Sequence, residues 1–167
     1  MKHVPVLMNE VIESLQLKAN MNVIDCTLGD GGHAEMILEK RSPAGKLFGI
    51  DADSESLSRA QKNLERFGER VVLARDNFVN LSKIIEETRL RYTAAPGQAK
   101  FGKVDGILMD LGWSSQQFEE RGRGFSFQKD EPLDMRYDPS GDSPTAFEMI
   151  KNLSEQELEK IFREYGE

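Results

Sequence analysis

Two aspartates and a glycine-rich corner are the residues of this 167-residue chain whose types and spacing could do chemistry. Gly29, Asp30, Gly31, Gly32 and His33 follow the apolar run NVIDCT and precede Ala34, Ile37 and Leu38, which recur at helical spacing. A glycine corner between a strand and a helix lets the backbone approach a ligand closely. A dinucleotide fold would carry G-x-G-x-x-G, but G-D-G-G-H lacks the third glycine, and no Gly-Lys-Ser/Thr phosphate loop follows. Asp51 closes the next apolar run, KLFGI, where a carboxylate can accept two hydrogen bonds from vicinal ribose hydroxyls. A ribose acid combined with the wrong phosphate loop points to S-adenosylmethionine (SAM), a nucleoside joined to a small zwitterion. Asp110 closes a further apolar run, VDGILM. Two histidines and one cysteine are a poor supply for a zinc site, so no metal is expected.

These residues need a frame. Val6–Leu17 reads as a short amphipathic helix, with Leu7, Val11, Ile12 and Leu15 apolar. Strands are predicted at Val23–Cys26, Lys46–Asp51, Arg70–Ala74 and Val104–Asp110. Helices are predicted at Gly32–Arg41, from Asp53 or Ser54 to Phe67, and at Leu81–Leu90, with Thr93–Gly102 a surface loop. Asp53 can cap the second of these, which would leave Asp51 free for a ligand. Alternating strands and helices of this size argue for an α/β fold, a parallel sheet with helices on both faces. Ligands in such sheets sit at the carboxyl ends of the strands, where strand order reverses. That rule lines up the Gly29–His33 corner, Asp51, Asp76–Phe78 and Asp110 along one edge.

After Asp110 the pattern changes. Leu111–Asp142 shows neither period and centres on RGRGFSF. Ser143-Pro144 reads as a helix start, and Ser154–Glu157 as a capping box opening a helix with Leu158, Ile161, Phe162 and Tyr165 on one face. Residues 1–110 are therefore expected to form one unit and 111–167 the start of an inserted segment. Arg121, Arg123, Lys129 and Arg136 could meet phosphates, but acids are interleaved with them, and a solvated ion-pair surface is the competing reading. The net charge of −7 argues against a dedicated nucleic-acid module without excluding an enzyme that touches RNA over a small area. No apolar run approaches membrane-spanning length, MKHVPVLMNEV has no signal-peptide pattern, and Cys26 reads as a reduced buried thiol; a cytoplasmic protein is expected.

The stretches HVPVLMNEVI, DCTLGDGGHAEMIL, GIDADSESL, DNF, VDGILMDLGWSSQQ, RGFSF, PLDMRYD and EYGE occur in the order and spacing of one family. The chain resembles the bacterial ribosomal RNA cytosine-N4 methyltransferases, the RsmH or MraW family. The resemblance implies a Rossmann-like class I SAM-dependent methyltransferase core with a mostly helical inserted segment. It implies methyl transfer from SAM to the exocyclic N4 of a cytidine in 16S ribosomal RNA, near the P site of the small ribosomal subunit. The family's SAM contacts fall on Gly31, Gly32, His33, Asp51, Phe78, Asp110 and Gln117. Phe78 offers adenine an apolar face, and Asp110 sits where the methyl is handed over.

Cytosine N4 is a poor nucleophile because its lone pair is delocalised into the ring. Acceptors for its hydrogens would draw that pair toward the methyl, and Asp110 with a carbonyl such as that of Leu111 could supply them. The run DLGW is a loose analogue of the Asp/Asn-Pro-Pro-aromatic turn of amino-methyltransferases. Trp113 would then meet the flipped base, against the alternative of packing under the following loop. Trp113 is also a departure, since the family usually has a small aliphatic residue there. Family members also run on well beyond EYGE. A complete sheet would place strands one and four side by side in its middle. If the chain ends at Glu167, Val104, Ile107, Leu108 and Met109 become an open edge that could pair two copies. The alternatives are a truncated SAM-binding protein without activity, separable by methyl transfer to ribosomal RNA from cells lacking it, and a methyltransferase of another substrate.

Overall fold

The computed structural model describes residues 5, 7–40, 44–94, 103–112 and 122–166. The chain divides into two compact units, Met1–Leu111 and Gly112–Glu167. In the first unit, β1 (Val23–Asp25), β2 (Leu47–Asp51), β3 (Val71–Arg75) and β4 (Gly106–Leu108) form one sheet in the order β3-β2-β1-β4. All three pairings are parallel, and Asp25 sits level with Gly49 of β2 and Leu108 of β4. The chain builds outward from β1 to β2 and β3, then returns to the other side of β1 for β4. Strand order therefore reverses between β1 and β4.

Side-chain alternation divides the apolar residues between two faces. Val23 and Leu47 pack with Leu28, Ala34, Ile37, Leu38, Ala60 and Leu64 on one face, covered by α2 (Gly32–Lys40) and α3 (Ser54–Leu64). Ile24, Cys26, Phe48 and Ile50 pack with Ile84 of α4 (Leu81–Ala94) on the other. Each of these large buried side chains contributes about 1.5–3 kcal/mol of transfer free energy. The Cys26 thiol is buried beside Asp25, and its pKa is pushed up to about 11, so it is inert.

Element limits differ from the sequence expectation for local reasons. Helix α1 is Met8–Ser14, shorter than Val6–Leu17, because Gln16 takes a positive φ of 44° and Leu17 turns into the core. Helix α3 stops at Leu64, and the 3₁₀ stretch Glu65–Arg70 turns at Gly68 with φ 53°. Phe67 still packs on the core from that stretch. Helix α4 continues past Leu90 to Ala94, into the expected loop. Strand β4 is three residues long instead of spanning Val104–Asp110, because the Asp110 amide leaves the ladder to donate to the Thr27 hydroxyl.

In the second unit, residues 122–145 are turns, followed by α5 (Ala146–Asn152) and α6 (Glu155–Tyr165). The cap of α5 is Thr145, not Ser143. Thr145 and Glu148 exchange side-chain and backbone hydrogen bonds, while the Ser143 carbonyl accepts from Arg136 Nη1. Ser154 and Glu157 form the expected box at the start of α6. Phe162 and Tyr165 on α6 are exposed.

Candidate active site

The carboxyl ends of the strands carry the candidate residues in spatial order. Phe78 lies just beyond β3, Asp51 ends β2, the Gly29–His33 corner follows β1, and Asp110 follows β4. Neighbouring strands are about 4.8 Å apart, so Asp51 and the Asp110 segment lie about 10 Å from one another across the edge.

Asp51 is held from both sides. Its Oδ2 accepts from the Gly29 amide at 2.8 Å and its Oδ1 from the Asp53 amide at 2.8 Å. The helix cap is Asp53, which accepts from the amides of Glu55 and Ser56. Asp51 is not used for the cap. The glycines are required by geometry. Gly31 has φ 86°, and an added Cβ would stand 3.1 Å from Leu64 Cδ1. At Gly32 it would stand 2.4 Å from Pro5 Cγ. The missing side chains thus admit Leu64 and Pro5. Phe78 opens a 3₁₀ turn, Phe78–Asn80, capped by Asn77, and is 36% exposed.

His33 is buried in the first turn of α2, with Nε2 3.8 Å from Asp110 Oδ2. The Asp110 side chain is 57% exposed. Its backbone amide donates to Thr27 Oγ1 at 2.7 Å, and the Thr27 amide donates to Asp25 Oδ1 at 3.1 Å. Asp25 is fully buried. Burial, with the nearby Asp51 and Asp110 charges, raises its pKa from 3.8 to about 7, against the lowering effect of the Thr27 hydrogen bonds. Asp25 and Thr27 are not singled out by sequence pattern, because both sit in an apolar run that reads as core. The signal is an acid ending a buried strand, the same position that marks Asp51.

Gly31, Gly32, His33, Asp51, Phe78 and Asp110 all lie at this edge. Trp113 and Gln117 lie outside the described residues, as does Arg121. Arg123 and Arg136 are scaffold, not a phosphate surface. Arg123 is 6% exposed and donates to the carbonyls of Arg136 and Tyr137. Arg136 forks onto both oxygens of Asp134 at 2.8 Å and holds that carboxyl below its ordinary pKa. No group of side chains suited to a metal ion, and no helix long and apolar enough to cross a membrane, occurs among the described residues.

A doubly wound parallel sheet with a glycine corner after its first strand and an acid ending its second defines a Rossmann-like α/β class. Within that class the chain belongs to the MraW methylase family, whose model matches residues 1–167. It is 44% identical over 166 residues to ribosomal RNA small subunit methyltransferase H of Clostridium botulinum (strain 657 / Type Ba4), covering 99% of this chain and 50% of that protein. The protein of the same name from Syntrophotalea carbinolica is 45% identical over 166 residues, covering 99% and 49%. The chain thus spans about half the length of the curated relatives it matches. Among solved structures, TrmN from Thermus thermophilus aligns with a TM-score of 0.44 and 21% identity, over 47% of this chain and 24% of that one.

Proposed function

We propose that residues 1–110 are the donor-binding core of a SAM-dependent methyltransferase and that 111–167 begin its substrate-recognition segment. The observation that carries this reading is the order of Phe78, Asp51, the glycine corner and Asp110 on one sheet edge, spanning the β1/β4 reversal. The residues present suit SAM: a pre-oriented carboxylate for the ribose at Asp51, an exposed ring for adenine at Phe78, and the opening amides of α2 for the amino-acid carboxylate.

When bound, SAM supplies an activated sulfonium methyl. The chain's part is alignment and proton acceptance. Asp110, exposed beside His33, is placed to accept a hydrogen bond from the exocyclic amine of a cytosine. Trp113 and Gln117 complete the proposed site from the family resemblance. The name shared by the relatives makes small-subunit ribosomal RNA the proposed acceptor, and the family resemblance narrows the proposal to N4 of a cytidine in 16S ribosomal RNA, near the P site of the small ribosomal subunit. A cytoplasmic location follows from that substrate. Pairing of two copies is also proposed. Ile107 and Met109 are exposed, although Leu108 is buried and Val104 packs against the cluster of Ile24, Cys26, Phe48, Ile50 and Ile84.

Two measurements test the reading. A protein of full family length carrying these residues should transfer labelled methyl from SAM to small ribosomal subunits isolated from cells lacking the modification. No transfer would leave the SAM-binding, inactive alternative. Asp51→Ala should weaken SAM by about 1–3 kcal/mol in calorimetry, the scale of lost charge-assisted hydrogen bonds. Unchanged affinity with the fold intact would remove Asp51 from the site.

A further inference from the structure

We infer that Thr27 is a positioning residue for Asp110, its hydroxyl tying the exit of β4 to the carboxyl end of β1. The inference rests on the proposed transfer role of Asp110.

Asp110 is the second residue beyond β4, where the ladder has ended. The last rung is the Cys26 amide donating to the Leu108 carbonyl at 2.9 Å. Beyond it, Asp110 would hang from the sheet by its own chain alone. Instead its amide meets Thr27 Oγ1 at 2.7 Å, across 83 residues of sequence. The Thr27 amide donates to Asp25 Oδ1 at 3.1 Å. That bond holds the Thr27 backbone at the carboxyl end of β1, and the hydroxyl carried there receives the Asp110 amide. Asp25 is held in turn by its burial in the middle of the sheet.

The tie differs from ordinary structural bonding in one respect. The Asp110 segment is exposed, so water can satisfy its amide if the hydroxyl is lost. Removing the hydroxyl should therefore change stability little and change where the Asp110 carboxylate sits. Misplacement by about 1 Å can cost a reaction about a hundredfold.

The test uses Thr27→Val, nearly equal in volume, and Thr27→Ser, which keeps the hydroxyl, in a protein of full family length, with Asp110→Ala alongside. Thr27→Val is expected to lower kcat about ten- to a hundredfold with KM for SAM within about twofold of the parent. Thr27→Ser should recover most of that loss. Parental kcat in Thr27→Val, when Asp110→Ala is inactive, overturns the inference and leaves the proposed function standing. So does a Thr27→Val protein that no longer binds SAM, or a Thr27→Ser protein as slow as the valine variant. An active Asp110→Ala protein overturns the proposed role of Asp110 and this inference with it.

Discussion

Asp110→Ala, in a protein of full family length, is expected to lower the single-turnover methylation rate by about 10²–10⁴, the range ascribed to a positioned general base. The lone pair of an exocyclic amine is tied into the ring, so the group that accepts its hydrogen bond governs how much electron density reaches the methyl. Asp110 is an exposed acid at the strand-order reversal, in line with Asp51 on the same edge. Nothing in the apolar core depends on its side chain, so the variant should fold, and saturating SAM offsets the loss of a contact to the donor. Asp110→Asn keeps an acceptor oxygen without the charge and should fall between the two. Rapid-quench transfer at saturating SAM and RNA reads the chemical step directly. A near-normal rate for the alanine variant would show that another group accepts the proton.

The second large effect concerns stability and pH. Asp25 carries a pKa of about 7 in the folded chain against 3.8 ordinarily. Between those values the folded state holds more protons than the unfolded one. Unfolding free energy therefore falls as pH rises from about 4 to about 7, and the penalty is complete above that. Asp25→Asn removes the titration while keeping an oxygen to accept from the Thr27 amide. Relative to the parent, it should gain stability between pH 5 and pH 8, by about 2.7 kcal/mol, the two pH units from 5 to about 7 at 1.36 kcal/mol each. Urea denaturation at the two pH values measures the change independently of any fixed cost of the amide. An identical difference at both values would mean that Asp25 titrates normally in the fold.

The sheet was legible because Val23, Ile24, Leu47, Phe48 and Ile50 form continuous apolar runs, as strands buried on both faces require. The separation of Asp51 from Asp53 was legible too, since a cap must stand just before its helix. Asp25 was hidden by the same apolar context that raises its pKa. Arg123 and Arg136 stayed open between two readings for a different reason. Interleaved acids and bases look alike whether solvated or folded onto one another, and the burial of Arg123 against the carbonyls of Arg136 and Tyr137 tells them apart. The Met135 backbone has φ 55°, a conformation no pattern of residue types announces outside glycine.

The length of β4 has a consequence for how the site opens. Among the described residues its three residues pair with β1, and that pairing closes a far longer chain loop than the β1–β2 pairing does. A short strand with distant partners is the kind of element that opens locally while the rest stays folded. Amides that bond across this seam, such as Cys26 to Leu108, should therefore exchange with deuterated solvent sooner than those joining β2 to β3. Equal protection across the four strands would mean the sheet opens as one body. With graded protection, Asp51 belongs to the persistent part of the molecule and Asp110 to the part that breathes. A donor could then stay seated while the acceptor side samples open states, and the approach of RNA would be coupled to the closing of a single strand.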